Sequence, residues 1–455
     1  MTRHVLVGRF GSKDEIGIAE AEDEVKTELN LLDGRGAFKY GMGAALKELS
    51  SLQVYPTQFG LDLLVLASMV HLADTRLSRD TESQDSWTRE IRLVVPVSEP
   101  VRWNSQASLI KRILEFLTGD QWTIGFRPRP GEVTVHVPAN PDPAKKAPFD
   151  SVCLFSGGLD SLVGAIDLLE HDGAPLLVSH AGEGATSKAQ NDCFDGLKKR
   201  YPSRQFDRLR VWMNFPKKLI RNVASEKTTR GRSFLFLALA AFAGSGLGIP
   251  FTLRVPENGL IALNVPLDIL RLGSHSTRTT HPFYLDCWNK LLSGLEIPGH
   301  IENPFWNKTK GEMVLHCRNP ELLRQLVRSS LSCSSPTKAR WQKLSAGHCG
   351  YCVPCLIRRA AIEAAWGKGQ DPTEYLISHL LGRPFDTLQS EGQQIRAFQL
   401  AIRRLAEKPQ LASVLIHKPG PLGNDSVRLA ELSAVYRRGM EEVGQLLDGV
   451  ITTPG

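Results

Sequence analysis

Residues 153–169, "CLFSGGLDSLVGAIDLL", decide how the fold is read. An apolar run ends at Phe155, a turn holds two glycines between two serines, and a helical pattern begins near Leu159. Adjacent glycines let the backbone turn tightly and let its N–H groups approach an anion with no Cβ in the way. A helix N-terminus adds partial positive charge, and Ser156 and Ser161 add hydroxyl donors. The turn predicts a phosphate cradle of Ser156, Gly157, Gly158, Leu159, Asp160 and Ser161 at the carboxyl end of a first strand, where open α/β sheets bind ligands. The lysine of the Walker loop G-x-x-x-x-G-K-[ST] is missing here, and "GMGAALK" (41–47) lacks its second glycine in register. Ordinary γ-phosphoryl transfer is therefore not expected.

The surroundings extend this reading. Strand-like runs "SVCLF", "APLLVSH", "RLRVWMNF" and "FTLRV" alternate with helical stretches near 159–171, 186–200 and 232–244. Such alternation predicts an α/β fold with a parallel sheet wrapped by helices. Before it lies a region of mixed character, with helices predicted at 59–79 and 108–117 and strands at "REIRLVVPV", "WTIGF" and "EVTVHV". This reads as an α+β domain with no visible chemistry. Residues 136–150, rich in proline and charge, read as a linker. Helices are expected around 376–407 and 427–447, forming a C-terminal appendage. The predicted division is thus 1–145, 146–370 and 371–455.

At 455 residues the chain exceeds one typical domain, and 42% hydrophobic residues suffice for a well-buried core. A net charge of +7 suits a phosphate-handling protein, but it lacks the dense basic stripe of a dedicated nucleic-acid binder. "KARWQK" (338–343) and "CLIRRAA" supply only a small basic patch. No secretory pattern opens the sequence, and the longest apolar run, 233–248, is short and ends in glycines. A cytoplasmic protein without a membrane partner is expected.

Four of the eight cysteines, Cys333, Cys349, Cys352 and Cys355, fall in one short stretch, the last three spaced C-x-x-C-x-x-C. Four thiolates make the closed tetrahedral set of structural zinc. An iron–sulfur cluster is the rival, but the ferredoxin run would need a fourth cysteine where Arg359 stands. Cys153, Cys193, Cys287 and Cys317 read as core or incidental thiols, with a nucleophile the lesser alternative for Cys287.

S-G-G-x-D-S after a strand resembles the pyrophosphate-binding loop of the PP-loop ATP pyrophosphatases. With C-G-x-C-x-x-C-x-x-R far downstream, the chain resembles the QueC family, the 7-cyano-7-deazaguanine synthases. Arg358 stands at the trailing arginine. "RGRSFLFL" (230–237) is similar to the family's G-R-N-x-x-F-L helix, and "NPFWNKTKGEMV" (303–314) to its T-K-x-E segment. The resemblance covers about 150–365. It implies ATP with magnesium, structural zinc, and activation of the carboxylate of 7-carboxy-7-deazaguanine as an acyl-adenylate. Asp160 is implied near the magnesium–pyrophosphate, or as a helix cap, and Arg230, Arg232 and Lys310 near the substrate.

The polar segment 257–282 departs from the classical sequence. From it, Glu257 and Asn264 are candidates for the guanine-like edge, and Arg278 for a phosphate or carboxylate. His281 reads equally as a base or a helix cap. The extra length at both ends resembles the enlarged, QatC-type members of anti-phage defence operons. For those, the resemblance implies transfer of the acyl group to the N-terminal amine of a partner protein. The alternatives are nitrile synthesis with ammonia and, in another class, PP-loop modification of tRNA.

Overall fold

The computed structural model describes residues 3–83, 85–131, 137–142, 144–182, 184–267, 278–338 and 346–454. Residues 132–136 of the strand expected at "EVTVHV", most of "KARWQK", and Arg271, Ser274, Ser276 and Thr277 of the polar segment lie outside the described residues.

A first sheet is formed by β1 (Arg3–Arg9), β2 (Glu24–Asn30), β3 (Glu90–Val97) and β4 (Gln121–Pro128). Its connections hold α1 (Met42–Ser51), α2 (Gln58–Arg76), α3 (Arg79–Glu82), α4 (Pro100–Ser105) and α5 (Ala107–Thr118). The order is β2-β1-β3-β4 and every pairing is parallel. This corrects the expected α+β domain: the N-terminal region is itself α/β. The expectation passed over β1 and β2. The exposed faces of β2 carry Lys26 and Glu28, which mask its strand pattern.

The second sheet is assembled from β5 (Ser151–Leu154), β6 (Pro175–His180), β7 (Asp207–Val211), β8 (Phe251–Arg254) and β9 (Gly299–Glu302). Between and after these strands run α6 (Leu159–Glu170), α7 (Gly184–Arg200), α8 (Arg232–Gly244), α9 (Gly259–Leu263), α10 (Pro282–Gly294), α11 (Lys310–Leu315) and α12 (Pro320–Leu326). All pairings are parallel, in the order β7-β6-β5-β8-β9. The strand order reverses between β5 and β8, and in doubly wound sheets that reversal opens a ligand crevice at the carboxyl ends.

Alternation along the central strands separates two cores. Val152, Leu176 and Val178 face one, whereas Cys153 and Leu177 face the other. On the first face α8 packs against β5, β6 and β8, and its outer side packs against α2, which rests on β1 and β3. Both helices are therefore sandwiched between sheets, which is why each is apolar around its circumference. Phe234, Leu235, Leu237, Leu239 and Phe242 of α8 are all buried, each contributing about 1.5–3 kcal/mol. This burial accounts for the longest apolar run as core, and no helix among the described residues is long and apolar enough to cross a membrane.

The end of the segment expected as a linker is fastened to the loop after α8 and to the shared core. Ala147 N donates to Leu247 O, and Phe149 is buried in the shared core. The C-terminal part holds α13 (Val353–Trp366), β10 (Phe385–Asp386), α14 (Ser390–Glu407), α15 (Leu411–Leu415), α16 (Ser426–Leu446) and β11 (Thr452–Thr453). Its core includes Leu260, Leu263, Leu356 and Ile357, so it is continuous with α9 and α13.

Candidate active site at the carboxyl edge of the second sheet

The glycine turn follows β5 directly. Gly157 has φ +77°, and a Cβ there would stand 2.8 Å from Gln190 N of α7. Only glycine meets both demands. The hydroxyls of Ser156 and Ser161 are 3.2 Å apart, Gly158 N donates to Ser156 Oγ at 3.2 Å, and Ser161 Oγ donates to Gly158 O at 3.0 Å. Ser156 is exposed while Leu159, Asp160 and Ser161 are buried, so the turn offers one hydroxyl to solvent and roots itself through the others.

Asp160 occupies the first turn of α6 and reaches across the strand-order reversal. Its Oδ1 lies 2.6 Å from Lys310 Nζ. Its Oδ2 accepts from Asn258 N at 3.1 Å and Asn258 Nδ2 at 2.7 Å. Asn258 Nδ2 also donates to Glu257 Oε1 at 3.2 Å, and Asn258 Oδ1 caps α9 by accepting from Ile261 N. Burial alone would raise the Asp160 carboxyl, but the Lys310 ammonium and the hydrogen bonds outweigh it and hold the group below the usual carboxylate range. Burial and the Asp160 charge push the Glu257 carboxyl well upward. Asp160 is thus the carboxylate held in its charged form, with the Lys310 ammonium beside it, while burial and that charge displace the Glu257 carboxyl upward.

The four cysteines meet as the spacing predicts. Their sulfurs all lie within 4.8 Å of one another, with Cys333–Cys352 and Cys349–Cys355 at 3.9 Å. Zinc–thiolate bonds in a tetrahedron put sulfurs about 3.8 Å apart. Cys349 N and Ser335 N donate to Cys333 Sγ, and Cys352 N to Cys349 Sγ, hydrogen bonds that favour thiolates. The donor set can hold a metal ion and fits structural zinc.

This cluster is joined to the glycine turn by the residues before Cys333. Leu331 N donates to Gly157 O at 2.8 Å, and Leu159 N approaches Ser332 Oγ at 3.4 Å. Arg358, fully buried, grips the same segment through Ser330 Oγ, Ser332 Oγ and Val327 O. Ser332 was not singled out in the sequence, although its place beside a cysteine ligand was the available signal.

The remaining candidates are placed elsewhere. Arg278 donates to Phe116 O at 2.8 Å and lies over the Phe116 ring, at the end of α5. His281 is the N-cap of α10: its Nδ1 accepts from Phe283 N at 3.2 Å, its ring packs on Phe116, and burial lowers it to about 3. The cap reading therefore describes its geometry. Arg230 stacks on Trp87 at 3.8 Å and donates to Thr118 O, and burial lowers it to about 10. Arg232, at the start of α8, lies over Phe236 and against Gly182 in the loop after β6. Asn264 is the left-handed C-cap of α9. Of the substrate candidates, only Glu257 and Lys310 join Asp160 in one network. A cleft of about 640 Å³ beside the cysteines is lined by Lys338, Tyr351, His379 and Arg383 and by no residue of the glycine turn. Cys153, Cys193 and Cys317 are buried and pushed up to about 12, as befits core thiols.

Neither a family model nor a curated protein matches the chain.

Proposed function

We propose that the chain is an ATP-dependent carbon–nitrogen ligase that releases AMP and pyrophosphate, with the carboxylate of a 7-deazaguanine as its acyl donor. The observation that carries this reading is the glycine turn at the β5–β8 reversal, with Asp160 locked to Lys310 and Asn258 behind it. In the reaction, a carboxylate oxygen attacks the α-phosphorus of ATP and the bond to pyrophosphate breaks. An amine then attacks the acyl carbon, AMP departs, and the amine loses a proton. The exposed Ser156 hydroxyl and the N-terminus of α6 suit the leaving pyrophosphate.

Magnesium would accompany ATP as its counter-ion. Asp160 does not fit as its direct ligand, because one oxygen faces Lys310 and the other accepts two bonds from Asn258. Zinc would be held by Cys333, Cys349, Cys352 and Cys355 and would fix the Ser330–Ser332 segment against the turn.

The acceptor we assign to the N-terminal amine of a partner protein. What supports this is surface at the same sheet edge. The connection 212–231 after β7 exposes Trp212, Lys217, Lys218 and Arg221, a surface that ammonia would not require. The test uses purified chain with ATP, magnesium and 7-carboxy-7-deazaguanine, with and without proteins encoded beside it. AMP formation and intact protein masses are read together. A partner gaining the deazaguanine acyl mass in step with AMP supports the proposal. Nitrile formed with ammonia alone returns the chain to nitrile synthesis, and AMP formation that requires tRNA overturns both.

A further inference from the structure

The C-terminal helix α16 reaches both segments that serve Asp160. Its buried stripe Leu432, Val435, Tyr436, Gly439, Met440 and Val443 follows helical spacing. Val435 closes on α9: a Cβ at Gly259 would stand 2.9 Å from its methyls, and a Cβ at Gly439 would stand 2.9 Å from Leu260. Glycines at both contacts bring α16 against the turn that starts with Asn258.

One turn apart on the adjoining face, Arg438 and Glu442 hold the start of α11. Glu442 Oε1 accepts from the Thr309 hydroxyl and Oε2 from Gly311 N. A Cβ at Gly311 would stand 2.5 Å from Glu442 Oε1, so the glycine admits the carboxylate. Arg438 donates to Glu312 at 2.6 Å and to Asn307 O at 2.9 Å. Lys310 lies between these grips, in a segment already stiffened by the reciprocal Thr309–Glu312 capping box.

We infer that α16 is a brace that sets Lys310 and Asn258 against the Asp160 carboxylate, and that Glu442 is its positioning residue for Lys310. The brace itself is a statement about the fold; only its effect on ligand affinity rests on the nucleotide reading above. It makes the C-terminal region part of the site's construction, since the two groups that ionise and orient Asp160 are both fixed from α16.

Hydrogen–deuterium exchange on the full-length, ligand-free chain tests the brace. Glu442→Ala is expected to speed exchange about tenfold at 309–313 and also at the glycine turn, 156–162, far away in sequence. Lys310→Met is expected to loosen 156–162 by itself. In that background Glu442→Ala adds less than about twofold there, because the two act in series. A rise confined to 309–313, or equal increments in both backgrounds, overturns the inference. Should Glu442→Ala fail to fold, Glu442→Gln, which keeps the volume and one acceptor, reads the same pattern at smaller amplitude.

Titration with α,β-methylene-ATP and magnesium supplies the ligand arm. Glu442→Ala weakens binding about tenfold in the parent and hardly at all beside Lys310→Met. If the parent chain does not bind α,β-methylene-ATP, the nucleotide reading falls, and the exchange pattern still decides the brace.

Discussion

Two parallel sheets lie back to back in this chain, yet they use buried charge in opposite ways. Asp74, in the last turn of α2, and Asp160, in the first turn of α6, are both buried aspartates. Asp74 accepts from Gly231 N ahead of α8, and its nearest cation, Arg89, is 3.6 Å away, so burial wins and raises it to about 6. Asp160 has Lys310 at 2.6 Å and two bonds from Asn258, so the charge is held. Around the first sheet the neighbouring charges close on one another: Asp120 takes Arg79 and Arg89 at 2.6 Å, and Arg127 takes Asp14. The second sheet instead ends in a glycine turn with an exposed serine. The ion pairs of the first sheet close on one another, whereas the second sheet ends in a turn that leaves the Ser156 hydroxyl exposed beside its buried Asp160–Lys310 pair.

The largest expected effect comes from the cysteines. If they hold structural zinc, the parent contains one zinc per chain by elemental analysis. Cys352→Ala, or a strong chelator, is then expected to unfold the segment around 330–366, on the scale of about 10 kcal/mol seen for thiolate zinc sites. A chain without metal that keeps its full unfolding midpoint would reduce the cluster to packed thiols. Next is Lys310→Met, which leaves a buried carboxylate without its cation. Denaturant unfolding is expected to show a loss of about 3–5 kcal/mol, together with loss of AMP formation. A stable, active variant would show that the Asp160 pair is incidental.

Much of this was legible in the sequence because it is local. The strand-to-helix pattern around 153–169, the cysteine spacing and the apolar α8 all carry their signal within about twenty residues. In the first sheet β3 and β4 are legible, but β2 alternates charge with other side chains and the all-parallel pairing is a property of the whole chain. The site residues split in the same manner. The glycine turn stayed together, while Arg230 and Arg278 turned to Trp87 and Phe116 of the N-terminal half, a contact no local pattern foretells. Glu442 gave no local signal: its role exists only because α16 folds back across more than a hundred residues onto Thr309 and Gly311.

A smaller effect sharpens the first-sheet side of the comparison. Asp120→Asn keeps hydrogen-bonding atoms near Arg79 and Arg89 but removes the charge they share. The expected cost is about 2–3 kcal/mol in denaturant unfolding, with AMP formation per folded molecule unchanged. A selective loss of turnover at unaltered stability would move this network into the reaction.

The smallest effect separates a cap from a base at His281. Burial, reinforced by Arg278, depresses its folded value from 6.5 to about 3. Between those values the unfolded chain binds a proton that the native chain refuses, so stability falls as pH drops from about 6.5 toward 3. One such group contributes at most about 1.4 kcal/mol per pH unit. His71, His180 and His348, lowered to about 3, 4 and 3, add slopes of the same sign. His281→Asn retains an acceptor for Phe283 N and removes the titration. Unfolding measured across pH 4–7 is therefore expected to lose one proton's worth of slope, while AMP formation at neutral pH persists. Were His281 the base, the slope would flatten in the same way but turnover would collapse, because asparagine cannot accept the amine's proton.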